Sequence, residues 1–168
     1  ITGTPDSGTL ENSGTATPDV RFSSIENLDG AAGDDTITID AALSGNIAGG
    51  DGDDTFNVNA NVGGDVDGGN DLDTLVLAAG FTIGGTVSNT ELVELIVDGD
   101  ANNNTIVVRD NAGVLEAVVD GVTQSFFTPA STATVRLTVN GGAGDDTLIL
   151  NYGGSLLANE IVFIDGAV

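Results

Sequence analysis

Apolar residues recur along the chain with two superimposed rhythms, one of two residues and one of nineteen. Counted from the glycines at 30, 49 and 68, the eighth position is Ile37, Phe56 or Leu75, and the tenth is Ile39, Val58 or Leu77. Thr38, Asn57 and Val76 stand between them, so each run alternates as a strand with one buried face does. A second short strand is expected around the fourteenth to eighteenth positions, beginning with Leu43, Val62 and Phe81, although the third copy slips, with Ile83 at sixteen and Gly85 at eighteen. Two short strands and two turns cannot hold together alone. Stacked, they bury a continuous apolar column and pair each strand with its copy in the next turn. Frequent glycine and β-branched residues argue against helix. The fold class is therefore an all-β, parallel β-solenoid, in which Phe56 and Phe81 are expected to be core residues.

The rhythm frames the rest of the chain. Residues 1–19, with Pro5 and Pro18, read as an extended lead-in or edge strand, and residues 20–168 as the solenoid. A glycine-led loop at Gly99 follows that at Gly68 by 31 residues, and one at Gly141 follows after a further 42, leaving room for insertions. The longer one holds VLEAVVDGVTQSFF, whose Asp120 and Gly121 predict an antiparallel hairpin over 114–127. Such a hairpin could recognise a partner or act as a lateral cap shielding sheet edges. A sixth loop begins at Gly166, and its completion is expected from further chain or from another copy of the protein.

The loops carry the chemistry. Residues 49–57 read GGDGDDTFN and residues 141–149 read GGAGDDTLI; weaker copies are GAAGDDTIT from Gly30, GGNDLDTLV from Gly68 and GDANNNTIV from Gly99. Calcium takes six to eight oxygen ligands, many of which can be backbone carbonyls. Glycine lets the chain turn its carbonyls toward a shared point, and aspartate at the sixth position supplies a short, rigid carboxylate. This nonapeptide resembles the repeat-in-toxin, or hemolysin-type, calcium-binding repeat. The resemblance implies several calcium ions between loops of successive turns, a right-handed coil, and sixth-position ligands at Asp35, Asp54, Asp73 and Asp146, with Asn104 marking a weaker or vacant site. Carbonyls of loop glycines such as Gly49 and Gly68 belong to the same implied set. Asp51 and Asn70 at the third position are candidate additional ligands. Asp34, Asp53 and Asp145 at the fifth are candidates beside the ion or facing solvent, with Asp65 and Asp67 weaker ones. Asp71 and Leu72 depart from the motif in the third loop. The family's usual turn holds two such loops in eighteen residues; here one loop per nineteen-residue turn predicts sites along one edge only.

Composition narrows the function. With 26 acidic residues against three arginines and a net charge of −23, the chain should repel nucleic acid and anionic membranes and attract cations. It holds no cysteine, histidine or lysine and no apolar run long enough to cross a membrane, so membrane insertion is not expected. A secretory leader is expected to have been removed or to lie upstream. No catalytic motif emerges, and the expectation is that the protein is not an enzyme; a calcium-dependent polysaccharide lyase built on Arg109 and Arg136 is the remote alternative. The favoured reading is an extracellular, calcium-stiffened structural subunit or module of a cell-surface assembly, such as a filament, surface layer or adhesin stalk. Its partners would be other copies or adjacent modules, joined by end-to-end strand pairing. A module that binds glycans or cell surfaces is the alternative, with few aromatic residues, six Phe and one Tyr, to serve it.

Overall fold

The computed structural model describes residues 7–10, 20–23, 26–129, 133–151 and 158–165, so Gly166 lies outside the described residues. Strands β1 (Ser7–Leu10) and β2 (Val20–Ser23) pair antiparallel in a ribbon of their own. Next come the regular turns: β3 (Leu28–Ala32), β4 (Thr36–Ile39), β5 (Ile47–Asp51), β6 (Thr55–Val58), β7 (Val66–Asn70) and β8 (Thr74–Leu77). Longer strands complete the chain: β9 (Thr82–Ser88), β10 (Leu92–Asp98), β11 (Thr105–Asn111), β12 (Val114–Val119), β13 (Val122–Pro129), β14 (Thr134–Gly142), β15 (Thr147–Asn151) and β16 (Ala158–Asp165). Among the described residues there is no helix.

Two mostly parallel sheets face each other, consistent with a parallel β-solenoid. The larger has the order β15-β11-β12-β13-β9-β7-β5-β3 and the smaller β16-β14-β10-β8-β6-β4. The smaller sheet is in register from β4 to β14: Ile37, Phe56, Leu75, Val93 and Val135 form one column and Ile39, Val58, Leu77, Leu95 and Leu137 the next. All are buried, and Leu28, Ile47, Val66 and Val87 face them from the larger sheet. Each full burial of such a side chain is worth about 1.5–3 kcal/mol. A core this thin exists only because every turn is roofed by the next.

Two expectations about the turn need correction. The second strand does not occupy positions fourteen to eighteen: it opens at the eighteenth, Ile47 or Val66, and runs through the first three loop residues, pairing Gly50 with Gly69 and Asp51 with Asn70. The loop glycines are thus half strand, because their small size lets backbones of successive turns hydrogen-bond directly. The fourteenth-position column runs Leu43, Val62, Ile83, since Val62 bridges to Ile83 and not to Phe81. A turn at Ala78–Phe81, with Gly80 at φ 83°, absorbs the two extra residues, and Phe81 packs partly buried against the core. Strands β12 and β13 pair antiparallel around Asp120 and Gly121, both at positive φ, and lie within the larger sheet between β11 and β9.

Candidate metal centre

Loops 30–35, 49–54 and 68–73 each carry the chain from the larger sheet to the smaller along one edge. Their backbone is set by two left-handed residues. The second position is Ala31, Gly50 or Gly69, at φ 80°, 119° and 117°. The fourth is Gly33, Gly52 or Asp71, at φ 105°, 124° and 77°. The first glycine is needed for a different reason. A Cβ on Gly30, Gly49 or Gly68 would collide with the sixth-position carboxylate of its own loop and with a carbonyl oxygen of the next turn, that of Gly49, Gly68 or Asn89.

That carboxylate does two things. The Asp35 N–H donates to Asp54 Oδ1 and the Asp54 N–H to Asp73 Oδ1, both at 2.8 Å, so each side chain caps the backbone of the turn before it. The Asp73 N–H donates in the same way to Glu91 Oε2 at 2.8 Å. The second oxygen has no such partner: Oδ2 of Asp35, Asp54, Asp73 and Asp146 is buried without a hydrogen bond. Asp54 and Asp73 are each only 1% exposed. Burial pushes the Asp35 carboxyl above the usual range, with the charges of Asp54 and Asp34 adding to it. Burial does the same to Asp73; the Asp54 N–H opposes it, and the charges of Asp54, Glu91 and Asp53 reinforce it. An ionised oxygen held this way needs a positive partner.

The other sequence candidates divide by position. At the fifth, the Asp53 N–H donates to Asp34 Oδ1 and the Leu72 N–H to Asp53 Oδ1, each at 3.0 Å, in the sense opposite to the sixth-position ladder and on the exposed side. At the third, Asn70 Nδ2 donates to Asp51 Oδ1 at 2.7 Å, also exposed. Asp65 accepts the Thr86 N–H at 2.7 Å, and Asp67 accepts Asn89 Nδ2 at 2.8 Å. These side chains stitch neighbouring turns together. Among the described residues no group of three or more carboxylates converges on one point, so a cation here would draw on carbonyl oxygens as well.

The expectation of a single edge fails. Loops 99–104 and 141–146 leave the smaller sheet and enter the larger, at the ends of β10 and β14 and the starts of β11 and β15. They lie on the opposite edge, which separates Asp145 and Asp146 from Asp35, Asp54 and Asp73. The physical cause lies between β9 and β10. Val66 and Thr74 are eight residues apart, whereas their partners Val87 and Leu92 are five apart, so a short turn replaces the loop there. The glycine loop reappears only after β10 has crossed.

On the opposite edge the amide of Asn104 shows what the carboxylates lack. Its N–H donates to Asp146 Oδ1 at 2.8 Å, repeating the ladder, and its Oδ1 accepts the Asp100 N–H at 2.8 Å. Its Nδ2 donates to Asp120 Oδ2 at 2.9 Å and Asp100 Oδ1 at 3.2 Å, while its Oδ1 stands against Gly99 as the unpartnered Oδ2 atoms stand against Gly30, Gly49 and Gly68. Asp120 is fixed by accepting the Thr105 N–H at 2.7 Å. Hydrogen bonds from Thr105 and then Asn104 hold the Asp120 carboxyl below the usual range, and those from Asn102 and then Asn104 do so for Asp100. Sequence reasoning missed Asp100, Asp120 and Glu91. Only Glu91 left a signal, an acid eighteen residues after Asp73.

Arg109 and Arg136 lie in different sheets, on β11 and β14, each beside inward-facing core residues, so the two are not brought into one groove. Arg109 Nε pairs with Glu116 Oε2 at 2.8 Å. No protein-family model, curated protein or solved structure matches the chain.

Proposed function

We propose that the protein is a secreted, calcium-binding structural subunit or module of a bacterial-type surface assembly, a right-handed solenoid of the repeat-in-toxin kind in which β12 and β13 are an inserted hairpin. The observation that carries the calcium reading is the set of four buried Oδ2 atoms without a hydrogen-bond donor, one at each sixth-position aspartate. Where the same position is Asn104, donors exist and carboxylates meet them. The residues fit a hard cation: Oδ2 of Asp35, Asp54 and Asp73 with the carbonyls of Gly49 and Gly68 on one edge, and Oδ2 of Asp146 on the other. Bound calcium supplies the positive charge that lets these carboxylates stay ionised while buried.

Binding and folding are then coupled, with affinities of about 10⁻⁴ to 10⁻³ M, the range of extracellular modules. Cytosolic calcium would be too scarce, and export would act as the folding switch. Support for assembly comes from β15 and β16, the outermost strands of the two sheets, where Ile149, Leu150 and Ile164 are 43%, 40% and 50% exposed. A strand from another copy or an adjacent module would cover them.

Calorimetric titration of chelator-treated protein with calcium, followed by far-UV circular dichroism, tests the reading. We expect more than one ion per chain and a gain of β signal. Asp54→Asn should lower the number of ions bound and keep the fold, as Asn104 does in its own loop. No heat of binding, with identical spectra and melting in excess EGTA and in several millimolar calcium, would overturn it.

A further inference from the structure

The third loop departs most from the motif, with Asp71 and Leu72 in place of glycine and a polar residue, yet its aspartate is the best buried with Asp54. Its neighbour in the stack is the short turn between β9 and β10, which several hydrogen bonds dock in place. Asn89 sits at φ 46°, which aims its carbonyl at Gly68, where the regular turns present a glycine carbonyl. Its side chain is tied to Asp67 Oδ1 at 2.8 Å. Thr90, 2% exposed, donates to the Ser88 carbonyl at 3.1 Å. The N–H groups of Glu91 and Leu92 both donate to the Asp73 carbonyl at 3.1 Å, and the Asp73 N–H returns a bond to Glu91 Oε2.

The turn is three residues shorter than the loop it stacks on, and glutamate is one methylene longer than aspartate. The longer side chain makes up for the shorter backbone, so that the Glu91 carboxylate occupies the ladder position that Asp54 and Asp73 occupy in their turns. Beside it is an Asp73 side chain that is almost fully buried, with Oδ2 unpartnered.

We propose that Glu91 is a metal-ligating residue that nothing in the repeat motif marks. With Asp73 Oδ2 and the Asn89 carbonyl it completes a divalent-cation site closing the first-edge stack. The inference rests on the calcium reading above and extends it to a loop the motif leaves incomplete. A purely structural role needs only an acceptor for the Asp73 N–H, which an amide supplies as well as a carboxylate; a ligand role needs the charge.

The test is calcium stoichiometry and affinity of the full chain by calorimetry, comparing the wild type with Glu91→Gln. Glu94→Gln, on the outer face of β10, serves as a control for net charge. We expect Glu91→Gln to keep its β spectrum in saturating calcium and to bind one ion fewer, or one ion at least tenfold more weakly, with Glu94→Gln unchanged. Equal binding by the wild type and Glu91→Gln, or equal losses in both variants, overturns the assignment of Glu91. A wild type that binds no calcium overturns the function itself, which is a separate result. Should Glu91→Gln fail to fold, Glu91→Asp keeps the charge and withdraws the carboxylate. It should bind every ion with one site weakened, and wild-type affinity at every site would overturn the proposal.

Discussion

The loop from Gly49 to Asp54 and the loop from Gly99 to Asn104 both start on glycine and both donate the N–H of their sixth residue to an aspartate Oδ1 of a neighbouring turn, but they close around opposite chemistry. On the first edge a carboxylate is buried with one oxygen unmet; on the other an amide is buried with its donors met by Asp100 and Asp120. The backbones differ accordingly. The second and fourth positions of the first-edge loops are left-handed, as are Gly142 and Gly144 in the loop ending at Asp146, whereas Asp100 and Asn102 are not. Asn102 instead donates to Asp100 through its N–H and Nδ2, so side chains hold the loop that glycines hold elsewhere. One node is completed by the chain, and in the other the chain supplies no donor to the buried Asp54 Oδ2.

The largest effect should come from converting the self-sufficient node into the dependent one. Asn104→Asp removes two donors that now face Asp100 and Asp120 and adds a third negative charge among them. Leaving buried charge uncompensated costs about 3–5 kcal/mol. Urea unfolding in EGTA should show a loss of that order, and excess calcium should restore most of it. A loss that calcium leaves untouched would break the parallel between the two edges.

The first-position glycines offer a test of intermediate size. Gly49→Ala drives a methyl group into Asp54 Oδ2 and the Gly68 carbonyl, and Gly99→Ala into Asn104 Oδ1 and the Gly141 carbonyl. Both overpack against backbone that has little room to shift, at a cost of about 1–3 kcal/mol. The two should differ in a second readout: only Gly49→Ala should also weaken calcium binding, measured by titration. Equal effects on binding would mean that the glycines serve packing alone.

Much of this was legible in the residues. The nineteen-residue period, the strand through Phe56 and Val58 and the ladder-forming aspartates all stem from local alternation and spacing, because a stacked turn repeats its own contacts. The edge change was not legible, since it depends on a turn shortened by three residues whose register becomes visible only when Val66 meets Val87 and Thr74 meets Leu92. In the sequence Asp120 is half of a hairpin turn, and nothing local places its carboxylate on Asn104, sixteen residues away. Ile83 displaced Phe81 from its column because the apolar count alone does not tell which residue absorbs a two-residue slip. Spacing carries the repeats, and contacts across insertions decide how the repeats are joined.

The smallest effect concerns the same left-handed positions and has the opposite sign. Ala31 and Asp71 occupy backbone conformations, φ 80° and 77°, that their counterparts Gly50, Gly69, Gly33 and Gly52 adopt without a side-chain penalty. Both are exposed, so a change to glycine removes no packing. Relief of the left-handed strain is worth about 1–2 kcal/mol, less the greater chain entropy that glycine brings to the unfolded state, about 0.5–1 kcal/mol. Ala31→Gly and Asp71→Gly should each stabilise the protein, by about 0.5 kcal/mol, in calcium and in EGTA alike. Chemical denaturation under both conditions checks it. A gain seen only in calcium would mean that these two loops are strained by ion binding and relaxed without it, and the first edge would then be a switch between backbone states in a way the amide-held loop from Gly99 to Asn104 is not.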